Sequence, residues 1–427
     1  MNNPYGQGGQ PPAPYGQYPQ QQGGPGYYGQ QQHQYPPQYP VQPPPQRPGP
    51  NPHDADRRRR VTGFWLWVLG MIAGVVLNIL FTLAQVIFSN SPAQMAGSIA
   101  IGGVFAFLPL MVYLFVPAVL DRFDPEPWWC LAMAFLWGAV VATGFAGMIN
   151  TVVHVIFSRQ FGEATGELVS AAVSAPIAEE FWKGLAILGF FYFLRREFDG
   201  IVDGIIYATF CALGFAAVEN VSYYARAAFK GSDVLTGTFL LRGVFTPWLH
   251  PLFTAMTGIG FGLARESESK WVRGLGPVIG YCAGVILHAM WNFLPTALGP
   301  KMGAVFLPWL FLWLCFVAGF FVMIVVLVVR KGRVIREYLR DEVLLGYLSP
   351  DELELVTSPI GRIRCTLSWR GAAGKQLIKA ASRLALSKWH TARAAKTKKG
   401  TISADFIGPL RQEVMKQRSS LAAKRPR

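Results

Sequence analysis

Long apolar segments alternate with short polar ones between residues 61 and 330 of the chain. Eight of the apolar segments are long enough to cross about 30 Å of hydrocarbon as helices that rise about 1.5 Å per residue. The pattern therefore predicts an all-α, multi-pass transmembrane helical bundle of about eight spans. These spans are residues 62–88, 97–120, 128–157, 168–194, 203–224, 238–264, 274–297 and 303–329.

The two ends of the chain differ from this apolar middle. The N-terminal segment consists largely of Pro, Gln, Gly and Tyr, a composition with too little aliphatic surface to offset the entropy of ordering, so it is predicted to be disordered. The C-terminal segment is strongly basic. We therefore predict a disordered cytoplasmic tail at 1–60, a transmembrane domain at 61–330 and a basic cytoplasmic tail at 331–427.

Two features of the C-terminal tail predict helices. Ser349, Pro350 and Glu352 occupy the positions of a capping box with proline at the first helical residue. Further on, an apolar face lies among basic residues and suits either a helix on anionic lipid or a helix packed on the inner loops. The residues of this face are Leu377, Ile378, Ala381, Leu384, Ala385 and Trp389.

The positive charge of the chain belongs to its tails. The 427 residues carry a net charge of +15. Residues 61–329 hold 12 basic against 14 acidic side chains, whereas residues 330–427 hold 22 against 8. The membrane domain therefore gives no reason to expect a nucleic-acid partner. Basic residues flanking the spans, beginning with Arg57–Arg60, predict that both termini are cytoplasmic.

Ionisable and amide side chains inside the predicted spans form a short set. An ionisable one costs about 2.5–3.5 kcal/mol to insert at mid-bilayer, so such a residue predicts a functional site. The set comprises Glu179, Glu180, Lys183, Glu219 and Asn220, together with His250, His288 and Asn292. Three others lie nearer the span ends or have no evident partner: Asp203, Arg242 and His154.

Spacing and depth predict that these groups converge. Lys183 follows Glu179 by four residues and Glu180 by three, so one lysine can reach either carboxylate on a shared helix face. His288 and Asn292 are also four residues apart. With alternating topology, the polar groups of four successive spans lie at a similar level between the midplane and the outer surface. One site in the outer half of the membrane is the expected result.

Carboxylates with two imidazoles form a donor set that suits Zn²⁺ with an open position for water. Such a metal makes hydroxide available near neutral pH, and a spare glutamate would serve as general base. The same groups also allow a metal-free mechanism in which Glu180 and His250 activate water. From the residues alone, a hydrolase, a proton- or ion-coupled transporter and a structural or signalling membrane protein all remain open. A transporter often shows paired halves, and the EExxK segment has no second copy.

Four motifs in order resemble the PrsW family of bacterial intramembrane proteases, which is related to the CAAX prenyl proteases. They are E-E-F-W-K (179–183), F-x-x-x-E-N (215–220), a histidine before a Gly-rich run (from His250) and H-A-M-W-N (288–292). The loop "DRFDPEP" (121–127) is similar to that family's acidic, proline-rich loop. The resemblance covers about residues 61–330. It implies regulated proteolysis of membrane-anchored proteins, such as anti-sigma factors, in the plasma membrane of a bacterium.

The resemblance also implies roles for individual residues. The catalytic residues expected from it are Glu179, Glu180, Lys183, Glu219 and Asn292. The expected ligands of a divalent metal, most simply Zn²⁺, are Glu180, Glu219, His250 and His288. The expected partners are a membrane-anchored protein substrate and, at the basic C-terminal tail, anionic lipid.

Overall fold

A computed structural model describes residues 52–120, 126–195, 197–358, 371–396 and 403–423. Every regular element in these ranges is helical, so the predicted all-α class is confirmed. Of the N-terminal tail 1–60, for which the sequence predicts disorder, residues 1–51 lie outside the described residues, whereas residues 52–60 are helical. Residues 121–125 of the acidic loop also lie outside the described residues.

The helices are labelled α1 to α15 in chain order. They are α1 Pro52–Ile87, α2 Pro92–Phe107, α3 Leu110–Leu120, α4 Trp128–Leu136, α5 Thr143–Phe161, α6 Glu163–Val169, α7 Ala175–Phe193, α8 Ile201–Lys230, α9 Ser232–Phe239, α10 Leu249–Glu266, α11 Lys270–Leu298, α12 Phe306–Leu344, α13 Pro350–Thr357, α14 Gly371–Lys396 and α15 Ser403–Ala423. Three π-helical turns join neighbouring segments: Trp137–Ala142, Ser170–Ser174 and Leu240–Phe245.

Six helical stretches of the described chain are long and apolar enough to cross a membrane, which confirms the multi-pass prediction. They are Arg57–Ile87, Pro92–Pro117, Trp128–Phe161, Ile201–Lys230, Lys270–Leu298 and Phe306–Leu344. The other two predicted spans, 168–194 and 238–264, are also helical. The first carries Glu179, Glu180 and Lys183, and the second is interrupted by a turn at 246–248. The count of eight spans therefore stays a prediction.

Helix α8 lies at the centre of the bundle. The apolar stretch of α8 is 89% buried, whereas the apolar stretch of α1 is only 6% buried. Small residues allow this packing, as they commonly do between membrane helices. A Cβ atom at Gly138 would lie 1.8 Å from the Cys211 carbonyl oxygen, and one at Gly204 would lie 2.2 Å from that of Gly258. Protein thus surrounds the helix that carries Glu219.

A side chain from another helix donates a hydrogen bond to each of the three π turns. Such turns disturb the regular i→i+4 ladder and leave carbonyl groups that need other donors. Asn78 Nδ2 lies 2.8 Å from the Val140 oxygen, and Asn292 Nδ2 lies 2.8 Å from the Ala171 oxygen. The Tyr113 hydroxyl donates to the Gly243 oxygen. These long-range bonds fix the irregular turns within the bundle.

The C-terminal tail begins within a continuous helix, because α12 runs through the predicted boundary at 330. Beyond it, Ser349 and Glu352 form the predicted capping box. The Glu352 amide donates to Ser349 Oγ at 3.2 Å, and the Ser349 amide donates to Glu352 Oε2 at 2.7 Å.

The apolar face of α14 packs inside the protein. Leu377 and Leu384 are fully buried, and they belong to a core shared with Leu339 of α12 and Val414 of α15. This is the packed-helix alternative, so the apolar face is not available to a lipid surface. Contact between the basic side chains of the tail and anionic lipid stays a prediction.

Candidate active site

Four helices bring the predicted ionisable side chains into one hydrogen-bonded cluster. Helix α7 contributes three of them, and α8, α10 and α11 contribute one each. The members are Glu179, Glu180, Lys183, Glu219, His250 and His288.

Lys183 lies at the centre of this cluster and is fully buried. Its Nζ atom donates to Glu180 Oε1 at 2.9 Å and to Glu179 Oε2 at 3.3 Å, and it lies 3.2 Å from His250 Nδ1. The Phe215 ring centroid is 3.9 Å from the same atom, close enough for a cation–π contact. The phenylalanine of the F-x-x-x-E-N motif thus supports the lysine of the E-E-F-W-K motif.

Glu180 is the more enclosed of the two adjacent carboxylates. Its side chain is 0% exposed. Oε1 accepts from Lys183 and, at 3.1 Å, from His288 Nδ1, while Oε2 accepts from Thr254 Oγ1 at 2.7 Å. Both oxygens are therefore occupied by protein donors, and the buried Thr254 is a contributor that the sequence analysis missed.

The partners of the two histidines define which nitrogens carry protons in the neutral rings. A carboxylate only accepts and an ammonium only donates. His288 Nδ1–H therefore donates to Glu180, which leaves the lone pair on Nε2, 3.9 Å from Glu179 Oε2. His250 Nδ1 accepts from Lys183, so its Nε2–H donates to Glu219 Oε2 at 3.1 Å. Glu180 and Glu219 each orient one imidazole, as carboxylates commonly do around catalytic or metal-bound histidines.

A cavity of about 710 Å³ borders one side of the cluster. Glu179, Glu219, His250 and His288 line it, whereas Glu180 and Lys183 do not. Of the two adjacent carboxylates, Glu179 is thus the one that can meet a molecule in the cavity. Carboxylate and imidazole groups are the side chains that most often act as general acids and bases, and here they border a cavity that can hold water.

A family model described as PrsW family intramembrane metalloprotease matches residues 126–329, which include the whole cluster. This part of the chain matches the PrsW family model. The protein is thus a membrane-embedded protease by family, and the resemblance stated from the motifs is confirmed.

Curated PrsW proteins show the same likeness. The chain is 26% identical over 197 residues to Protease PrsW of Oceanobacillus iheyensis, covering 46% of this chain and 82% of that protein. It is 26% identical over 218 residues to Protease PrsW of Geobacillus kaustophilus, covering 45% and 88%. For Protease PrsW of Bacillus subtilis the values are 26% over 196 residues, 46% and 82%. No solved structure matches the chain.

The PrsW site has donors that suit a divalent metal. Glu179, His250 and His288 each offer one ligand atom, and these atoms lie within 4.8 Å of one another. One carboxylate and two imidazoles are a common zinc set. This group differs from the predicted ligand set, because it contains Glu179 in place of Glu180 and Glu219. Glu180 is hydrogen-bonded to His288 Nδ1, and Glu219 is hydrogen-bonded to His250 Nε2. Because Lys183 bonds to both Glu179 and His250, a metal held by these two residues would displace those hydrogen bonds.

Arg242 belongs to the PrsW site, although the sequence analysis found no partner for it. It lies in the π turn Leu240–Phe245. Its Nη2 donates to Glu219, and its Nε donates to Asn220 Oδ1 at 2.6 Å. A cation in an otherwise apolar predicted span was the signal available in the sequence. The other two set-aside residues pair elsewhere, Asp203 with Lys331 at 3.1 Å and His154 with Glu163 at 3.2 Å.

Asn292 lines the cavity but is committed to the scaffold. Its Nδ2 donates to the Ala171 oxygen of the π turn that precedes α7. Asn292 therefore ties α11, which carries His288, to the segment that leads to Glu179. This contact suits a positioning role, and a direct catalytic role for Asn292 stays a prediction.

Proposed function

We propose that this protein hydrolyses peptide bonds of membrane-anchored proteins, within or beside their membrane segments, at the cluster on α7, α8, α10 and α11. The observation that carries this proposal is the position of Glu179, His250 and His288 on the wall of one large cavity. Single-pass regulators, such as anti-sigma factors, are the substrate class that the PrsW resemblance implies.

In the metal-free mechanism, Glu179 is the proposed general base. Its carboxylate borders the cavity, where it can take a proton from water as that water attacks the peptide carbonyl, and then return it to the leaving amine. The Nε2 lone pair of His288 lies beside the same carboxylate and can hold the water by accepting a hydrogen bond. Glu180, Glu219 and Lys183 keep these groups in place through the contacts described above.

In the metal-dependent mechanism, Glu179, His250 and His288 would instead hold a divalent metal, most simply Zn²⁺, and Glu179 would be a ligand and not the base. When bound, such an ion would polarise the scissile carbonyl and lower the pKa of water. Because Glu180 fixes His288 and Glu219 fixes His250, both imidazoles are oriented before any ligand arrives. Pre-orientation of this kind reduces the reorganisation needed during catalysis.

The proposed location is the plasma membrane of a bacterium, with both termini in the cytoplasm and the cavity toward the outer half. The basic flanks of the spans support this orientation. Reporter fusions at residues 1 and 427 should both report the cytoplasm, and one exterior terminus would contradict the orientation.

The test uses the full-length protein in liposomes with a single-pass reporter protein. We expect defined fragments, loss of cleavage with a chelator and recovery with added Zn²⁺. His250→Ala and His288→Ala should lower both the bound zinc and the cleavage rate. His154→Ala is the matched control, because His154 lines the same cavity but pairs with Glu163 outside the cluster.

Two outcomes would contradict parts of this proposal. Equal zinc in all three variants, with cleavage lost only in the first two, would favour the metal-free glutamate–histidine mechanism. Proton or ion flux without any fragment would favour the transporter alternative.

A further inference from the structure

One face of the C-terminal part of α8 forms a wall of the cavity. Glu219, Asn220, Tyr223 and Arg226 all line the cavity. Their spacing of three and four residues places them on the same side of the helix. This wall, which we call the α8 wall, leads from the catalytic cluster toward the end of α8 at Lys230.

The two cations beside the α8 wall differ in their partners. Arg242 is neutralised by Glu219. Arg226 is exposed, and within the described part of the chain it has no hydrogen-bond or ion-pair partner. Its guanidinium carbon lies 4.9 Å from the centroid of the Tyr223 ring. Tyr223 also contacts Arg242, at 3.7 Å. Arg226 therefore presents an unneutralised positive charge to the cavity, held against an aromatic ring.

Asn220 provides a second unused donor on the α8 wall. Its Oδ1 accepts from Arg242 Nε, and a guanidinium can only donate, so the orientation of this amide is defined. No described residue accepts a hydrogen bond from its NH₂ group, which lies on a residue that lines the cavity. An amide donor of this kind suits a peptide carbonyl of an extended substrate.

We infer that Arg226 forms a subsite for an acidic side chain of the substrate, about three residues from the peptide bond that is cut. Arg226 follows Glu219 by seven residues, or about 10 Å along a helix. An extended peptide covers that distance in about three residues. The substrate would thus be selected by an Asp or Glu near the cut. This inference rests on the proposed function and specifies its substrates.

The test measures cleavage by the full-length protein in phosphatidylcholine liposomes. The reporters are single-pass proteins with a cut mapped by mass spectrometry, and they differ only in having Asp, Asn or Lys two to four residues from that cut. The wild type should cleave the best Asp reporter about fivefold faster than its Asn counterpart, the size expected for an ion pair partly open to water.

Variants of Arg226 should change this preference. Arg226→Gln should remove it, Arg226→Lys should keep most of it, and Arg226→Glu should favour the Lys reporter. Lys230→Glu is the matched control, because Lys230 is an exposed cation of the same helix that does not line the cavity.

Two results would overturn the inference. An equal rate for Asp, Asn and Lys reporters with the wild type would do so. So would a uniform loss of rate for all reporters in Arg226→Glu, which would indicate a contact with lipid phosphate or a structural role. Absence of any cleavage by the wild type would instead contradict the proposed function itself.

Discussion

Two clusters of buried ion pairs in this protein have similar composition, but they differ in whether a buried carboxylate lines a large cavity. In the membrane domain, Lys183 bonds to Glu179 and Glu180. In the C-terminal region, Glu342 of α12 is 0% exposed and bonds to Lys388 at 2.8 Å and to Arg411 at 2.8 Å. Both clusters satisfy the rule that a buried charge needs charged or hydrogen-bonding partners.

The difference lies in what remains for a substrate. At Glu342, Arg411 donates to both carboxylate oxygens and Lys388 to one of them. In the membrane cluster, Glu179 and the lone pair of His288 border a large cavity. A buried ion pair alone therefore does not indicate catalysis, and the proposed catalysis rests on the carboxylate that faces a cavity beside an imidazole.

The largest effect should come from removing the carboxylate that faces the cavity. Glu179→Gln should lower the cleavage rate about 10³-fold, because a neutral amide can neither act as a base nor replace the carboxylate as a metal ligand. The protein should still accumulate in the membrane. Glu342→Gln should leave the rate unchanged. A near-wild-type rate for Glu179→Gln in the reporter assay would remove the distinction between the clusters.

Removing the central ammonium should have the next largest effect. Lys183→Met leaves Glu179 and Glu180 without their shared donor, and misplacement of a catalytic group by about 1 Å can cost about 10²-fold in rate. Bound zinc should not fall, because the substitution frees Glu179 and His250. Lys331→Met, which removes a lysine paired with Asp203, is the control for loss of an ion pair. Loss of zinc in Lys183→Met would show that the ammonium supports the metal site.

A substitution in the C-terminal cluster should change the stability of the protein and not its cleavage rate. Glu342→Gln should lower the local free energy of unfolding by about 2 kcal/mol. This is below the cost of breaking a fully buried pair, because Lys388 and Arg411 are partly exposed. Hydrogen exchange of α12 and α14 measures this change. Glu337→Gln, at an exposed position of α12, should change nothing. Equal effects of both substitutions would contradict a structural role for the cluster.

The smallest effect should come from the donors to the π turns. Asn78→Ala removes hydrogen bonds to the Val140 and Gly74 oxygens and should lower the free energy of unfolding by about 1 kcal/mol. Thermal unfolding in detergent checks this. Thr236→Ala removes only a bond within its own helix, at an exposed position, and should have no measurable effect.

Much of the fold follows from local physical rules in the sequence. Apolar length identified the helices, and the positions of Ser349 and Glu352 identified the capping box. The cost of ionised groups in hydrocarbon identified Glu179, Glu180, Lys183, Glu219, His250 and His288. These rules act residue by residue, so one sequence is enough to apply them.

The arrangement within the site depends on contacts that the sequence does not encode locally. Spacing showed that Lys183 can reach either glutamate, but the rotation of α7 decides which one faces the cavity. Arg242 reaches Glu219 only because a π turn and helix α8 place them together. Likewise, the apolar face of α14 was recognisable, but its burial against α12 and α15 depends on tertiary packing.

The most direct test of the central claim, that the Glu179 side of the cluster hydrolyses peptide bonds, is cleavage in water enriched in ¹⁸O. Full-length protein in liposomes would act on a single-pass reporter, and mass spectrometry would analyse the fragments. We predict one ¹⁸O atom in the new C-terminal carboxylate, at a cut within or beside the membrane segment, and no such fragment with Glu179→Gln. The same labelled fragment at the same rate with Glu179→Gln would contradict the account.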